Sequence, residues 1–279
     1  MPTFDLDGAK IAYRRRGAGE PVVLLHSSTG SGAQWEALCD DLQRDFLVLT
    51  PDLYGYGESD SWPGVRPMGL GDEAAIVEGL AQICAGPIHL VGHSYGGAVA
   101  LKTAIQGKVA IRSLSVIEPV AFHVLRNSDP WGEQYLNQIV AIADLVQSAL
   151  SRGDCDGAMH RFVDFWSGPG VWNSLAPRQR QKVMSVASKV PLDFRAAMSE
   201  TTTLKDYGQL NQPTLLMCGG DSPAPTRRIV ALLDVVLSDC RLNLVSGAGH
   251  MLPLTHSGLV NEAIAAHLRR CRAVRCRAA

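Results

Sequence analysis

An α/β architecture, with a doubly wound and mostly parallel sheet and a helical cap insertion, is predicted by three features of the 279-residue sequence. Short apolar runs alternate with segments of helical periodicity in the first 119 residues and again from residue 211 onward. The runs are continuous rather than alternating, as in strands buried on both faces. Between them, over residues 120–210, the rhythm changes to helical spacing alone. The expected organisation is therefore a core built from 1–119 and 211–279 and a helical cap over 120–210.

Taken in order, the strand-like pieces Thr3 to Leu6 and Lys10 to Arg15 are joined by Asp7-Gly8, the signal for an antiparallel hairpin. Apolar runs at Val22 to Leu25 and Phe46 to Leu49 flank a helical segment, Gln34 to Gln43. A helix over Asp72 to Cys84, a strand at Ile88 to Val91, a helix over Tyr95 to Gln106 and a strand at Ser113 to Ile117 continue the alternation. In the cap, Trp131 to Leu150 carries apolar residues at helical spacing (Leu136, Ile139, Val140, Ala143, Val146, Leu150), and Ala158 to Trp166 and Gln179 to Val190 read similarly. The core resumes with strands at Thr214 to Cys218 and Leu242 to Val245 and helices at Thr226 to Leu237 and Val260 to Arg269.

Composition narrows the function. With 26 basic and 27 acidic side chains there is no general attraction to nucleic acid or to an anionic membrane surface, so a small-molecule substrate is the expected partner. The N-terminal residues carry no basic-then-apolar leader, and no apolar run is long enough to span a bilayer; a cytoplasmic location is expected. Seven cysteines are scattered with no C-x-x-C pair, a pattern that suits neither a disulfide framework nor a zinc site. No metal or organic cofactor is implied: no G-x-G-x-x-G follows a strand, and Gly107-Lys108 lacks the spacing of a phosphate-binding loop.

The chemistry centres on Gly92-His93-Ser94-Tyr95-Gly96-Gly97, set between a strand pattern and a helix pattern. A serine hydroxyl is a weak nucleophile and needs exposure, a base and waiting oxyanion donors. A sharp strand-to-helix turn supplies the exposure, and its crowding calls for the glycines at 92 and 96. Ser94 as a helix N-cap is the plainer reading of the same residue.

These residues, with two later stretches, resemble the α/β-hydrolase family along most of the chain outside the cap. Gly92 to Gly96 looks like its nucleophile elbow; "SGAGHMLPL" (246–254) places His250 where the family has its catalytic histidine; "MCGGDSP" (217–223) offers Asp221 as the acid. The alternative acid is Glu118 in "SVIEPVAF", at the end of the strand after the elbow helix. "DLYGYGES" (52–59) resembles the family's pocket-bordering glycine-rich loop, and "LLHSST" (24–29) its oxyanion loop, with Ser27 where glycine is usual. The resemblance implies oxyanion donors at the backbone N–H groups of Ser28 and Tyr95, His26 holding that loop, and a strained backbone at Ser27.

The cap holds the aromatics Trp131, Tyr135, Phe162, Phe165, Trp166 and Trp172, more than half of which could simply pack the insertion onto itself; Trp131, Phe165 and Trp166 are the candidates for lining an apolar substrate pocket. The other histidines have no motif around them. The terminal arginines (Arg269, Arg270, Arg272, Arg275, Arg277) read as a solvated, frayed end. The expected activity is hydrolysis of an ester-like bond by a carboxylesterase-like serine enzyme through an acyl-enzyme. Carbon–carbon bond hydrolysis, perhydrolase chemistry and a slow-turnover binding protein share the same residues, whereas epoxide and haloalkane hydrolysis in this fold use an aspartate where Ser94 stands.

Overall fold

The computed structural model describes residues 1–126 and 128–277, and for residues 273–277 the backbone only. The core elements are β1 (Thr3–Leu6), β2 (Ala9–Arg16), β3 (Glu20–Leu25), α1 (Glu36–Leu42), β4 (Phe46–Pro51), α2 (Leu70–Gln82), β5 (Ile88–His93), α3 (Tyr95–Gln106) and β6 (Ile111–Ile117). From here to the next strand the described residues form helices only: α4 (Pro130–Ser151), α5 (Cys155–Ser167), α6 (Val171–Ser174), α7 (Pro177–Met184), α8 (Val190–Ser199) and α9 (Leu204–Tyr207), with short 3-10 turns. The core closes with β7 (Thr214–Gly219), α10 (Ala224–Val236), β8 (Cys240–Val245), α11 (Leu252–Thr255) and α12 (Ser257–Arg277).

The eight strands form one sheet in the order β1-β2-β4-β3-β5-β6-β7-β8. β1–β2 and β2–β4 pair antiparallel, and every later pair is parallel. All residues of β4, β5 and β7 are buried, which is why they read as continuous apolar runs. Within β3 the period of two separates the faces: Val23 and Leu25 join one core cluster, Val22 and Leu24 the other. The first cluster continues into the helical insertion through Phe122, Trp166 and Phe194; the second is covered by α1 and α12 through Leu38, Ile264 and Leu268. Replacing a side chain such as Leu90, fully buried between these layers, with alanine costs about 2–5 kcal/mol.

Parallel strands end at the same edge of the sheet, and the site forms there. Register pairs Leu25 with Gly92 and His93 with Ile117, so the residues that follow β3, β5 and β6 emerge side by side. The insertion is anchored by α4, whose N-cap Asp129 accepts from Gly132 N–H at 2.7 Å and also pairs with Arg228 of α10.

Two expectations shift. Val140 is 38% exposed and lies off the buried stripe of α4, which runs through Leu136, Ile139, Ala143 and Val146. α12 continues to Arg277 rather than ending near Arg269, and along it Arg269 pairs with Asp45 at 3.3 Å and Arg272 donates to the Asp45 carbonyl at 3.2 Å. The side chains of Arg275, Cys276 and Arg277 lie outside the described residues. Among the described residues no helix is long and apolar enough to cross a membrane.

Candidate active site

The turn between β5 and α3 is held by steric necessity. Ser94 has φ 55° and ψ −115°, a conformation that costs a non-glycine residue about 1–3 kcal/mol. A Cβ on Gly92 would stand 2.2 Å from the Gly96 carbonyl oxygen, and one on Gly96 2.5 Å from the His26 carbonyl oxygen. Three backbone bonds pin the strained residue: Ser94 N–H to Ile117 O (2.9 Å), and Ala98 and Val120 N–H to Ser94 O (3.0 and 3.2 Å). The hydroxyl is thereby aimed at the loop after β8.

From that loop His250, 2% exposed, presents Nε2 at 2.9 Å from Ser94 Oγ. Its Nδ1 lies 2.6 Å from Glu118 Oε2. The ring is further fixed by Trp166, whose ring centroid is 4.7 Å away, and its backbone carbonyl accepts from His93 Nε2 at 2.9 Å. His93 is pushed down to about 3, by burial and then by the neighbouring His250. It therefore stays neutral and braces the loop from outside the pocket, its Nδ1 accepting from Gln34 Nε2 at 3.2 Å.

Glu118 replaces Asp221 as the carboxylate against the histidine. Its backbone follows β6 at φ 44°, which turns the side chain back under His250. Oε1 accepts from Gly219 N–H at 2.6 Å and from the Ser222 hydroxyl. Burial by itself would raise the Glu118 carboxyl, but the bonds from His250, Ser222 and Gly219 outweigh it and hold it below the usual carboxylate range. Asp221 is exposed and meets the loop through its N–H, which donates to Ala248 O at 2.9 Å. The 217–223 stretch thus meets the site by donating hydrogen bonds to Glu118.

On the other side of Ser94 runs the loop 26–30. His26 Nδ1–H donates to Ser27 O (2.7 Å) and its Nε2 accepts from Leu53 N–H (3.0 Å), so it ties this loop to the chain after β4. Burial pushes His26 down to about 4, keeping it neutral. The strained backbone falls on Thr29 (φ 60°) rather than on Ser27, whose N–H and hydroxyl both reach Gln34 Oε1 (3.0 and 2.8 Å). Ser28 and Tyr95 border a chamber together with Ser94. As the first residue of α3, Tyr95 has an N–H without an intrahelical acceptor.

A buried charge cluster that motif reading missed lies beneath this loop. Asp193 Oδ2 accepts from Ser28 Oγ and from Tyr56 OH, each at 2.6 Å. Lys189 pairs with Asp193 and, at 2.9 Å, with Glu73 Oε1. Lys189 is 5% exposed, Asp193 4% and Glu73 0%. Burial would lower Lys189, yet Asp193 and Glu73 together hold it above its ordinary range, while burial raises Glu73 against the pull of Lys189. The ammonium also sits 5.1 and 5.0 Å from the Tyr56 and Tyr95 ring centroids. The available signal was a lysine and an aspartate four residues apart in the apolar stretch Lys189-Val190-Pro191-Leu192-Asp193-Phe194.

Of the aromatic candidates, Trp166 lines the pocket. Trp131 does not: it occupies the exposed first turn of α4 and is 62% exposed. Phe165 is rotated off the lining face of α5 and packs edge-on against Trp166 at 4.9 Å. Phe162, four residues before Trp166 and hence on the same face, lines the site instead. Ser94 and Ser28 border two spaces. One is a chamber of about 20 Å³ walled by Tyr95, Val120, Phe122, Val190, Asp193 and Phe194. The other is a groove of about 570 Å³ that includes His250 and runs past Leu175, Val183, Met251 and Leu254.

The comparisons agree with this architecture. An α/β hydrolase from Sphaerobacter thermophilus superposes with a TM-score of 0.73 at 25% identity, covering 94% of this chain and all of that one. The pimeloyl-[acyl-carrier protein] methyl ester esterase of Nitrosomonas europaea is 23% identical over 87% of this chain and 93% of that protein. The polyketide synthase ThaQ of Burkholderia thailandensis is 28% identical over 94% of this chain. The chain spans only 12% of that synthase's length, and 33% of an acetoin-cleaving acetyltransferase component of Cupriavidus necator to which it is 32% identical over 44% of its residues. The model of the alpha/beta hydrolase family matches residues 22–263, from the first parallel strand into the last helix, and the protein belongs to that family.

Proposed function

We propose that this hydrolase cleaves ester-like bonds of small, partly apolar substrates by nucleophilic catalysis at Ser94. The observation that carries the reading is the unbroken line of hydrogen bonds from Ser94 Oγ through both ring nitrogens of His250 to Glu118. His250 Nε2 takes the proton of Ser94 as Oγ attacks the carbonyl carbon. Glu118 holds the tautomer with Nδ1–H and stabilises the imidazolium. The oxyanion is received by the N–H groups of Ser28 and Tyr95, with the positive end of α3 behind it. The leaving oxygen departs with the proton from His250, and water, deprotonated by the same nitrogen, releases the acid and regenerates Ser94.

The residues 120–210 act in this reading as a cap whose Trp166 and Phe162 cover the serine. An esterase and an N-formylmaleamate deformylase from Pseudomonas putida, 25% identical over 88% of this chain, are among the similar proteins and support acyl-bond hydrolysis. The test is hydrolysis of p-nitrophenyl esters from acetate to laurate by the protein and by Ser94→Ala. Turnover that disappears in the variant supports the reading; equal turnover in both, or none in the wild type, removes it.

A further inference from the structure

We propose that the site selects esters with a short acyl group and a longer, apolar leaving group. The inference rests on the reading that Ser94 attacks and His250 returns the proton. Ser94 stands between two spaces, and His250 lines the larger one but is absent from the walls of the smaller. The leaving oxygen must meet His250 Nε2 to be protonated, so the departing group lies on the groove side. The rest of the acyl group then points the other way, into the chamber beside Ser28 and Tyr95. Over the full cycle one water is consumed: its oxygen and one hydrogen go to the short acid, and its other hydrogen restores the Ser94 hydroxyl, whose own proton left on the alcohol.

The chamber's size is set by rings that brace one another. Phe122 stacks at 6.1 Å on Trp166 and at 6.0 Å on Phe194, while Phe162 meets both edge-on at 6.5 and 6.1 Å. Rings packed against one another in this way resist displacement, so the chamber of about 20 Å³ has room for the methyl of an acetyl group and not for a longer chain. Asp193 closes one side and is itself held by Ser28, Tyr56 and Lys189. The groove of about 570 Å³ has the volume and apolar walls for an alkyl or aryl alcohol, with Gln179 and Lys182 among its polar residues.

Hexyl acetate and ethyl hexanoate test this directly, because they are isomers with their long chains on opposite sides of the same bond. Wild-type protein is expected to show a kcat/KM about a hundredfold higher for hexyl acetate, as a rigid apolar pocket discriminates by roughly ten- to two-hundredfold per misplaced methylene. Enlarging the chamber with Phe194→Leu or Phe194→Ala should reduce that ratio about tenfold or more. Equal rates or a preference for ethyl hexanoate in the wild type would overturn the side assignment. If p-nitrophenyl acetate is nevertheless cleaved in a Ser94-dependent way, the hydrolase reading survives that result; if no ester is cleaved, both fall.

Discussion

Replacing Lys189 with methionine removes the ammonium that separates two buried carboxylates while keeping much of the stem's volume. In the wild type Lys189 bonds Glu73 at 2.9 Å and also Asp193, and neither acid is more than 4% exposed. Breaking such a group by deleting one partner costs about 3–5 kcal/mol, because the surviving charges are left uncompensated. For a chain of this length about 2 °C of Tm is lost per kcal/mol, so Lys189→Met should melt about 6–10 °C lower. The deficit depends on pH. Burial holds the Glu73 carboxyl above its usual range, with Lys189 as the main opposing influence, so the variant raises it further. A carboxyl with a higher pKa folded than unfolded favours the folded state while protonated, and that contribution is lost as pH rises through the folded value. Urea unfolding of Lys189→Met should therefore show a smaller deficit at pH 5 than at pH 8, and Lys189→Met with Glu73→Gln should recover part of the loss at pH 8. A deficit below about 1 kcal/mol at both pH values would refute the claim that this cluster is a coupled, buried charge group.

Glu118→Gln should lower kcat by about four orders of magnitude, whereas Asp221→Asn should leave kcat within about twofold; steady-state kinetics on p-nitrophenyl acetate separates the two acids. Ser28→Ala removes the hydroxyl bond to Asp193 but keeps the backbone N–H, and a loosened loop 26–30, the proposed oxyanion donor, should lower kcat about tenfold with KM nearly unchanged; loss of thermal stability with normal kcat would assign Ser28 a structural role only. Gly92→Ala drives a Cβ to 2.2 Å from the Gly96 carbonyl and should yield misfolded or inactive protein, measured by circular dichroism and esterase assay together.

Much of this site is local in sequence. The Ser94 turn, the His250 loop and the loop 26–30 each follow a strand whose apolar run is legible, so Ser94, His250 and Ser28 could be placed from neighbours a few residues away. The carboxylate against His250 was harder to read. Glu118 and Asp221 both follow adjacent parallel strands, β6 and β7, and the choice depends on which side chain turns inward. Glu118 does so through a left-handed backbone at φ 44° that no local motif announces. The Lys189–Glu73 pair is separated by 116 positions, so only the packing of α8 over the core brings it together. The aromatics of α5 show the limit of periodicity: Phe165 and Trp166 are adjacent, yet the face shared by Phe162 and Trp166 is the one that meets the pocket.

The measurement that bears most directly on the central claim is intact-mass and peptide mapping after treatment with a fluorophosphonate, which phosphonylates an activated serine. A single adduct on Ser94, abolished in Ser94→Ala and formed far more slowly in His250→Ala and Glu118→Gln, is the predicted result. An adduct on another residue, or labelling of Ser94 that proceeds unchanged without His250, would contradict it.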